Sequence, residues 1–186
     1  MKRLYAFIVF PLLLAACGGD GPVAIDCHKE YWDGTVGVCL PQGWGVVDSE
    51  TLRARGVPED TIVAFQAEEA VSGQFPTVTV TGEPLSDVTA PTTYSKASIR
   101  SVSVLPGYTL IDSVQVNIDA EAIDLHVFTA KPVADEPSRR FYQVSTVANN
   151  MGYTLTATTP VSIDDALEKQ VYFILQSATF QADEEE

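Results

Sequence analysis

Residues 151–180 read MGYTLTATTPVSIDDALEKQVYFILQSATF, and this stretch decides the fold. Its first part, Met151–Thr158, predicts a β-strand. In its second part Ser162 is the predicted helix N-cap, Asp165 follows at a spacing like that of a capping box, and Asp164 suits the positive end of the helix dipole. The apolar residues that follow recur at helical spacing: Ile163, Leu167, Val171, Ile174, Leu175 and Ala178. A helix with one apolar stripe, directly after a strand, is predicted to pack on a sheet.

Three more strands are predicted before this stretch: Thr109–Ile118, Ala122–Lys131 and Phe141–Ala148. The connections at 119–121 and at Asn149-Asn150 are short enough for tight turns, so neighbouring strands are antiparallel. A looser loop is predicted at 132–138. Before the strands, Ala90–Gly107 predicts a helix with Pro91 near its start. Its inward stripe is predicted to consist of Tyr94, Ala97, Ser101, Val102 and Leu105.

The first half of the chain predicts shorter elements. Ser49 is the predicted cap of a short helix that runs through Arg55 and stops at Gly56. Strands at Thr61–Glu68 and Thr77–Thr81 follow, and alternating threonines in the second predict one wet or lightly covered face. The order is hairpin, strands, helix, four strands, helix. It predicts an α+β domain in which α-helices flank an antiparallel β-sheet.

Two cysteines bracket the predicted first hairpin. Asp33-Gly34 predicts its turn. A two-residue loop places Cys27 opposite Leu40, whereas a three-residue loop with Gly34 in the left-handed conformation pairs Cys27 with Cys39. The second register lets a disulfide close, and we predict it with a stabilisation of about 2–3 kcal/mol. Because C-x-x-C spacing is absent, the bond is interpreted as a structural staple of the hairpin and not as a redox site.

The N-terminal sequence predicts a secretory signal and a lipid anchor. Lys2 and Arg3 precede an uncharged run that is too short to span a bilayer and is typical of a secretory signal. The run ends in 14–17, LAAC, which resembles the lipobox of bacterial lipoproteins. That resemblance implies cleavage after residue 16 and acylation of Cys17. Gly18 stands where an aspartate favours the inner membrane, so the outer membrane facing the periplasm is predicted. An ordinary signal peptide with a coincidental cysteine is the alternative.

The predicted divisions are a cleaved signal peptide (1–16), a lipidated N-terminus and tether (17–25), one monomeric domain (26–181) and an acidic tail (182–186). The formal net charge is −14, and cleavage removes Lys2 and Arg3 but no acid, which leaves −16. Such a chain is not predicted to bind nucleic acid, whose phosphates need a basic patch. Anionic lipid headgroups also repel it, so attachment to membrane lipid is predicted through the acyl chains on Cys17.

Five motifs occur in a recognisable order: 40–44 (LPQGW), 75–80 (FPTVTV), 107–108 (GY), 152–158 (GYTLTAT) and 173–180 (FILQSATF). Together they resemble the PsbP-like superfamily, which includes the extrinsic PsbP subunit of photosystem II, DcrB-type bacterial lipoproteins and a Ran-binding nuclear import factor. The resemblance covers about 35–181 and implies a PsbP-like α/β/α sandwich. It also implies binding or assembly of other proteins. No active site and no metal ligands can be carried over from it.

The sequence contains few features that indicate a catalytic or metal-binding site. The two histidines, His28 and His126, are too few for a zinc site without a spaced partner. Asp124 and His126 share a face of a predicted strand, and they are interpreted as a surface or partly covered pair. Nucleophile elbows, phosphate loops and EF-hand loops are absent. The prediction is a protein that is not an enzyme and needs no cofactor or metal.

Two functions remain open at the level of sequence. Trp32 lies at the predicted hairpin tip, where it is either an exposed partner-binding residue or a lid folded back on the sheet. Trp44 is predicted to lie in the core. A lipid-anchored adaptor that supports an envelope protein complex predicts an exposed apolar patch around Trp32. A periplasmic small-ligand or cation-binding module instead predicts a concave pocket with convergent polar groups or clustered carboxylates.

Overall fold

The computed structural model describes residues 25–133 and 135–181. The lipobox with Cys17 and the acidic tail lie outside these residues, so their predictions stay untested. A two-stranded hairpin comes first, and a seven-stranded antiparallel sheet contains the other strands in the order β3-β4-β5-β9-β8-β7-β6. The strands are β1 Lys29–Trp32, β2 Gly37–Leu40, β3 Trp44–Val47, β4 Thr61–Ala67, β5 Thr77–Pro84, β6 Thr109–Ile118, β7 Glu121–Ala130, β8 Arg139–Ala148 and β9 Met151–Pro160. The helices are α1 Ser49–Ala54, α2 Pro91–Val102 and α3 Asp165–Gln176.

Helix α3 and the hairpin cover one face of the sheet, and helix α2 covers the other. Helix α3 and β2 pack against the face that presents Phe65, Val78 and Leu155, and these residues belong to one continuous apolar core. Helix α2 packs on the other face, over β7 and β8. The predicted α+β fold with flanking helices is confirmed. We call the first side the apolar face and the second the hydroxyl face, because it carries Ser145, Thr154 and their neighbours.

Two-residue turns set the register of the sheet. Asp119 and Ala120 both have positive φ, at 48° and 67°, and they join β6 to β7. Asn149 and Asn150 do the same between β8 and β9, at 51° and 60°. Turns with two left-handed residues match the twist of an antiparallel pair, and asparagine and aspartate tolerate this conformation. The long strands therefore pair as the sequence predicts.

Helix α3 carries the predicted apolar stripe, but its cap differs from the prediction. Leu167, Val171, Ile174 and Leu175 are buried. The N-cap is Asp164 and not Ser162, because the Asp164 carboxylate accepts a hydrogen bond from the Leu167 amide at 2.8 Å. The same correction applies to α1. Its cap is Asp48, whose carboxylate accepts from the Thr51 amide at 2.7 Å, and the helix ends at Ala54.

Helix α2 is rotated relative to the prediction. Ala97 and Ser101 are exposed, and Ser95 is the buried residue of the helix. Ser98 also turns inward, where it receives a hydrogen bond from the Ser145 hydroxyl at 2.8 Å. Tyr94 and Val102 of the predicted stripe are half-buried. The inner side therefore combines part of that stripe with small polar side chains that the apolar pattern did not predict.

The hairpin is closed by a disulfide in a register that differs from the prediction. Cys27 and Cys39 are bonded, with their Cα atoms 5.4 Å apart. Cys39 nevertheless pairs with Glu30, and the loop has four residues, 33–36. The reason is Asp33, whose carboxylate accepts the backbone amides of Thr35 and Val36, each at 2.8 Å. This side chain satisfies the loop amides that a shorter turn would have placed in the ladder.

Candidate functional site

The hairpin tip presents one large aromatic side chain to solvent. Trp32 is 44% exposed. It pairs with Gly37 across the hairpin, and a Cβ atom added at Gly37 would lie 2.9 Å from the indole ring. One face of the ring therefore covers the glycine and the other remains accessible. The ring is thus exposed at the hairpin tip and covers a residue of its own hairpin, and the role of Trp32 in binding a partner stays a prediction.

A cleft of about 500 Å³ adjoins this ring. Its apolar wall consists of Met151, Tyr153 and Phe180, and the last two stack with ring centroids 4.4 Å apart. Burial raises the pKa of Tyr153, and the negative charge of Asp33 raises it further. We call Trp32, this cleft and its wall the Trp32 surface. It combines an accessible indole with an aromatic floor, an arrangement typical of protein interfaces.

The Trp32 surface is braced by the last described residues of the chain. Gly37 and Thr179 exchange two backbone hydrogen bonds, at 2.8 and 3.0 Å. Thr179 also donates through its hydroxyl to the Asp119 carboxylate at 2.6 Å, and the Phe180 amide donates to the same carboxylate at 2.8 Å. Together with the disulfide, these bonds hold the hairpin against the sheet. Trp32 is thus presented by a restrained support, which lowers the entropy lost on binding.

Trp44 lies in the core, as the sequence predicts. It is 4% exposed, and its indole N–H donates to Gln170 Oε1 of α3 at 2.9 Å. This bond satisfies the one polar group of a buried tryptophan and ties β3 to the closing helix. Trp44 therefore contributes to the fold and not to a binding surface.

The hydroxyl face contains a second concave site that the sequence did not indicate. A cleft of about 450 Å³ opens between α2 and strands β5, β8 and β9. We call it the polar cleft; the residues that matter for its chemistry are Asp60, Thr81, Glu83, Tyr94, Gln143 and Thr154. They come from segments far apart in the chain. Only the alternation of threonines in 77–81 hinted that this face would be polar.

Tyr94 forms one wall of the polar cleft. Its ring lies over Gly152, where an added Cβ atom would be 2.7 Å from the hydroxyl. The hydroxyl donates to Glu83 Oε1 at 2.8 Å. Burial and this hydrogen bond raise the pKa of Tyr94 to about 12. The phenol therefore keeps its proton and its bond to Glu83 at neutral pH.

His126 is buried, which corrects the interpretation of a surface or partly covered pair. It is 4% exposed, and its Nε2 lies 2.9 Å from the Tyr108 hydroxyl. Its ring also contacts that of Phe128, with centroids 5.3 Å apart. Burial lowers the pKa of His126, and the nearby charge of Asp124 opposes the shift. His126 is therefore packed among aromatic rings, and its burial favours the neutral form of the imidazole.

Within 25–133 and 135–181, no group of three or more His, Cys, Asp or Glu side chains is placed to hold a metal ion. None of the helices in the described part of the chain has the length and apolarity needed to cross a membrane. The prediction that the protein is not an enzyme stays a prediction.

Comparison with known proteins places the fold. No protein-family model matches the sequence, and no curated protein matches it. Among solved structures, the chain is similar to cyanobacterial PsbP (CyanoP) from Synechocystis, with a TM-score of 0.56, 17% identity, and coverage of 90% of this chain and 99% of that one. It is also similar to LpqN, involved in cell envelope biogenesis of Mycobacterium tuberculosis, with a TM-score of 0.56, 11% identity, and coverage of 79% and 83%.

A third similar structure is the Ran-binding protein Mog1p of Saccharomyces cerevisiae, with a TM-score of 0.54, 10% identity, and coverage of 84% and 96%. These neighbours share one architecture, and the chain has a PsbP-like α+β fold. The predicted fold is thereby confirmed. At identities this low the likeness shows the fold alone, and function has to be argued from the sites.

Proposed function

We propose that this protein is a lipid-anchored, non-catalytic binding protein of the cell envelope. In this proposal it faces the periplasm from the outer membrane and supports the assembly or stability of a membrane-associated complex. Within the PsbP-like fold, the lipobox resemblance favours the DcrB-type lipoproteins. The involvement of LpqN in cell envelope biogenesis agrees with this setting.

The Trp32 surface is the observation that carries the proposal. An indole that is 44% exposed is supported by a disulfide-closed hairpin and adjoins an aromatic cleft. Tryptophan is among the side chains that dominate binding energy at interfaces, and a restrained support preserves that energy. Asp33 flanks the ring, and the whole chain is acidic. The expected partner is therefore a protein that inserts an apolar group between basic side chains.

In-cell chemical cross-linking, followed by recovery of the membrane-extracted protein, tests this role. We expect a stoichiometric partner that is lost in Trp32→Ala. Phe75→Ala is the matched control, because Phe75 is also an aromatic residue and is 49% exposed. It lies just before β5, at the end of the sheet opposite to the end that carries Met151 and the Trp32 surface. Recovery of the wild-type protein alone contradicts the proposal. Loss of the partner in both variants contradicts the assignment to Trp32.

The anchor is tested separately by Cys17→Ser. We expect the wild-type protein in the membrane fraction, with acyl chains on Cys17 detected by mass spectrometry. The variant is expected to lose both properties, because two or more acyl chains are what makes such attachment stable. A wild-type protein that is released to the soluble fraction, with an unmodified Cys17, contradicts the lipoprotein assignment and leaves the Trp32 test unaffected.

A further inference from the structure

The polar cleft differs from a packing defect, because charged and polar side chains line it. It lies on the opposite side of the sheet from the Trp32 surface, and its volume of about 450 Å³ falls within the range of small-molecule sites. Its charged residues are Asp60 and Glu83. Among the described residues that line it, none is Lys, Arg or His. The charge of the lining is therefore negative, which disfavours anionic ligands.

Hydrogen bonding within the protein leaves the polar cleft rich in acceptors. The Thr81 hydroxyl donates its hydrogen to the Thr154 carbonyl at 3.4 Å, and the Tyr94 hydroxyl donates its hydrogen to Glu83. A hydroxyl whose hydrogen is already used presents lone pairs to anything that enters. Carboxylates present lone pairs as well. A ligand that matches this lining has to supply N–H or O–H donors.

Gln143 provides an independent sign of a missing donor. The side chain lines the polar cleft, the residue is 8% exposed, and its Oε1 is buried without a hydrogen-bond partner among the described residues. An unpaired buried carbonyl destabilises the folded state, so such groups are rare in folded proteins. The terminal torsion of glutamine is broad, and the amide can turn towards a ligand in the cleft.

The opposite wall of the polar cleft is rigidly built. The Ser145 hydroxyl donates to Ser98 Oγ at 2.8 Å and lies 2.9 Å from Thr154 Oγ1, which connects α2, β8 and β9. On the other side, the Gly82 amide donates to the Asp60 carbonyl at 2.9 Å and holds the loop before β4 against β5. The walls of the cleft are therefore held in place before any ligand arrives, which limits the backbone entropy lost when one binds.

We propose that the polar cleft binds a small organic amine, whose ammonium group lies between the carboxylates of Asp60 and Glu83 and whose remaining donor pairs with Gln143. An ammonium supplies three donors and no acceptor, which matches the lining in both charge and hydrogen bonding. This role is additional to partner binding by the Trp32 surface and does not depend on it.

Isothermal titration calorimetry of the full-length protein in a mild non-ionic detergent tests the proposal. The probes are ethanolamine, putrescine and spermidine, with glycerol and calcium chloride as comparisons. We expect saturable one-to-one binding of at least one amine and none of glycerol. Glu83→Gln and Gln143→Met are each expected to weaken that binding about tenfold or more, because each removes an acceptor while preserving the shape of the side chain.

Glu30→Gln is the matched control, since Glu30 is an exposed acid on the hairpin, at the opposite side of the sheet. It is expected to leave amine binding unchanged. Equal weakening by Glu30→Gln and Glu83→Gln would show general attraction to an acidic protein and overturn the proposal. Binding of glycerol or calcium without any amine overturns the choice of ligand. Absence of binding by every probe overturns the site. Thermal unfolding of both cleft variants confirms that each remains folded.

Discussion

The two faces of the seven-stranded sheet are held by different interactions, although the same strands build both. The apolar face packs Phe65, Val78 and Leu155 against α3 and the hairpin, and each of these side chains is fully buried. The hydroxyl face joins α2 through Ser98, Ser145 and other small polar groups, and it leaves a cleft. One face supplies stability by excluding water. The other gives up some of that stability and keeps polar groups available for binding.

The largest effect is expected from a large-to-small change in the apolar face. Phe65→Ala removes a ring that is fully buried and packs edge-on against Tyr31, with centroids 5.2 Å apart. The expected loss in free energy of unfolding is about 3–5 kcal/mol. Thr79→Ala, on the hydroxyl face of the next strand, is the control and is expected to cost about 1 kcal/mol or less. Urea unfolding of the two variants measures the difference, and equal losses would remove the contrast between the faces.

The disulfide is expected to come second. Replacing Cys27 and Cys39 together by serine opens a cross-link between residues 12 apart in sequence. The expected cost is about 2–3 kcal/mol, because the unfolded chain regains freedom. Thermal unfolding with and without reductant measures it. Reductant should destabilise the wild-type protein and leave the double variant unchanged, and a response of both would point to another cause.

On the hydroxyl face, one substitution is expected to leave the free energy of unfolding unchanged or to raise it, in contrast to the losses expected above. Gln143→Met, without ligand, removes an unpaired buried carbonyl and keeps the length of the side chain. We expect the free energy of unfolding to stay equal or to rise by about 1 kcal/mol. Gln66→Met is the matched control, because Gln66 Oε1 accepts a hydrogen bond from Arg55 at 2.9 Å. It should be neutral or destabilising. Destabilisation by Gln143→Met would show that its amide is paired in solution.

The smallest effect is expected from pH. Burial lowers the pKa of His126 in the folded protein. As the pH falls, the unfolded chain therefore protonates this imidazole near the ordinary pKa of about 6.5, whereas the folded protein protonates it only at lower pH. Stability should therefore be full above this value and decline as the pH falls towards the lower folded pKa. His126→Phe should show a shallower decline between pH 7.5 and 5.5 in urea unfolding. Identical slopes would mean that the imidazole does not contribute.

The contrast between the faces also explains what the sequence could predict. Strands β6–β9 and the stripe of α3 follow regular apolar periods and tight-turn residues, so they were predictable from local pattern. The inner side of α2 was not, because Ser95 and Ser98 face inward and carry no hydrophobic signal. The hairpin register was missed because one side chain, Asp33, satisfies two loop amides. The polar cleft joins Asp60, Tyr94 and Gln143, and no local pattern connects residues so far apart.

The pair formed by Gly37 and Thr179 has a consequence for the way the protein is made. It joins the first hairpin to the last described segment, so the two bonds between them span nearly the whole domain. A chain synthesised from its N-terminus cannot finish the support of Trp32 until residue 180 has emerged from the ribosome. Domains generally fold as units, and in a multidomain chain the N-terminal one folds first during synthesis. Here the earliest element has to wait for the latest, and a product truncated before Thr179 lacks the complete Trp32 surface.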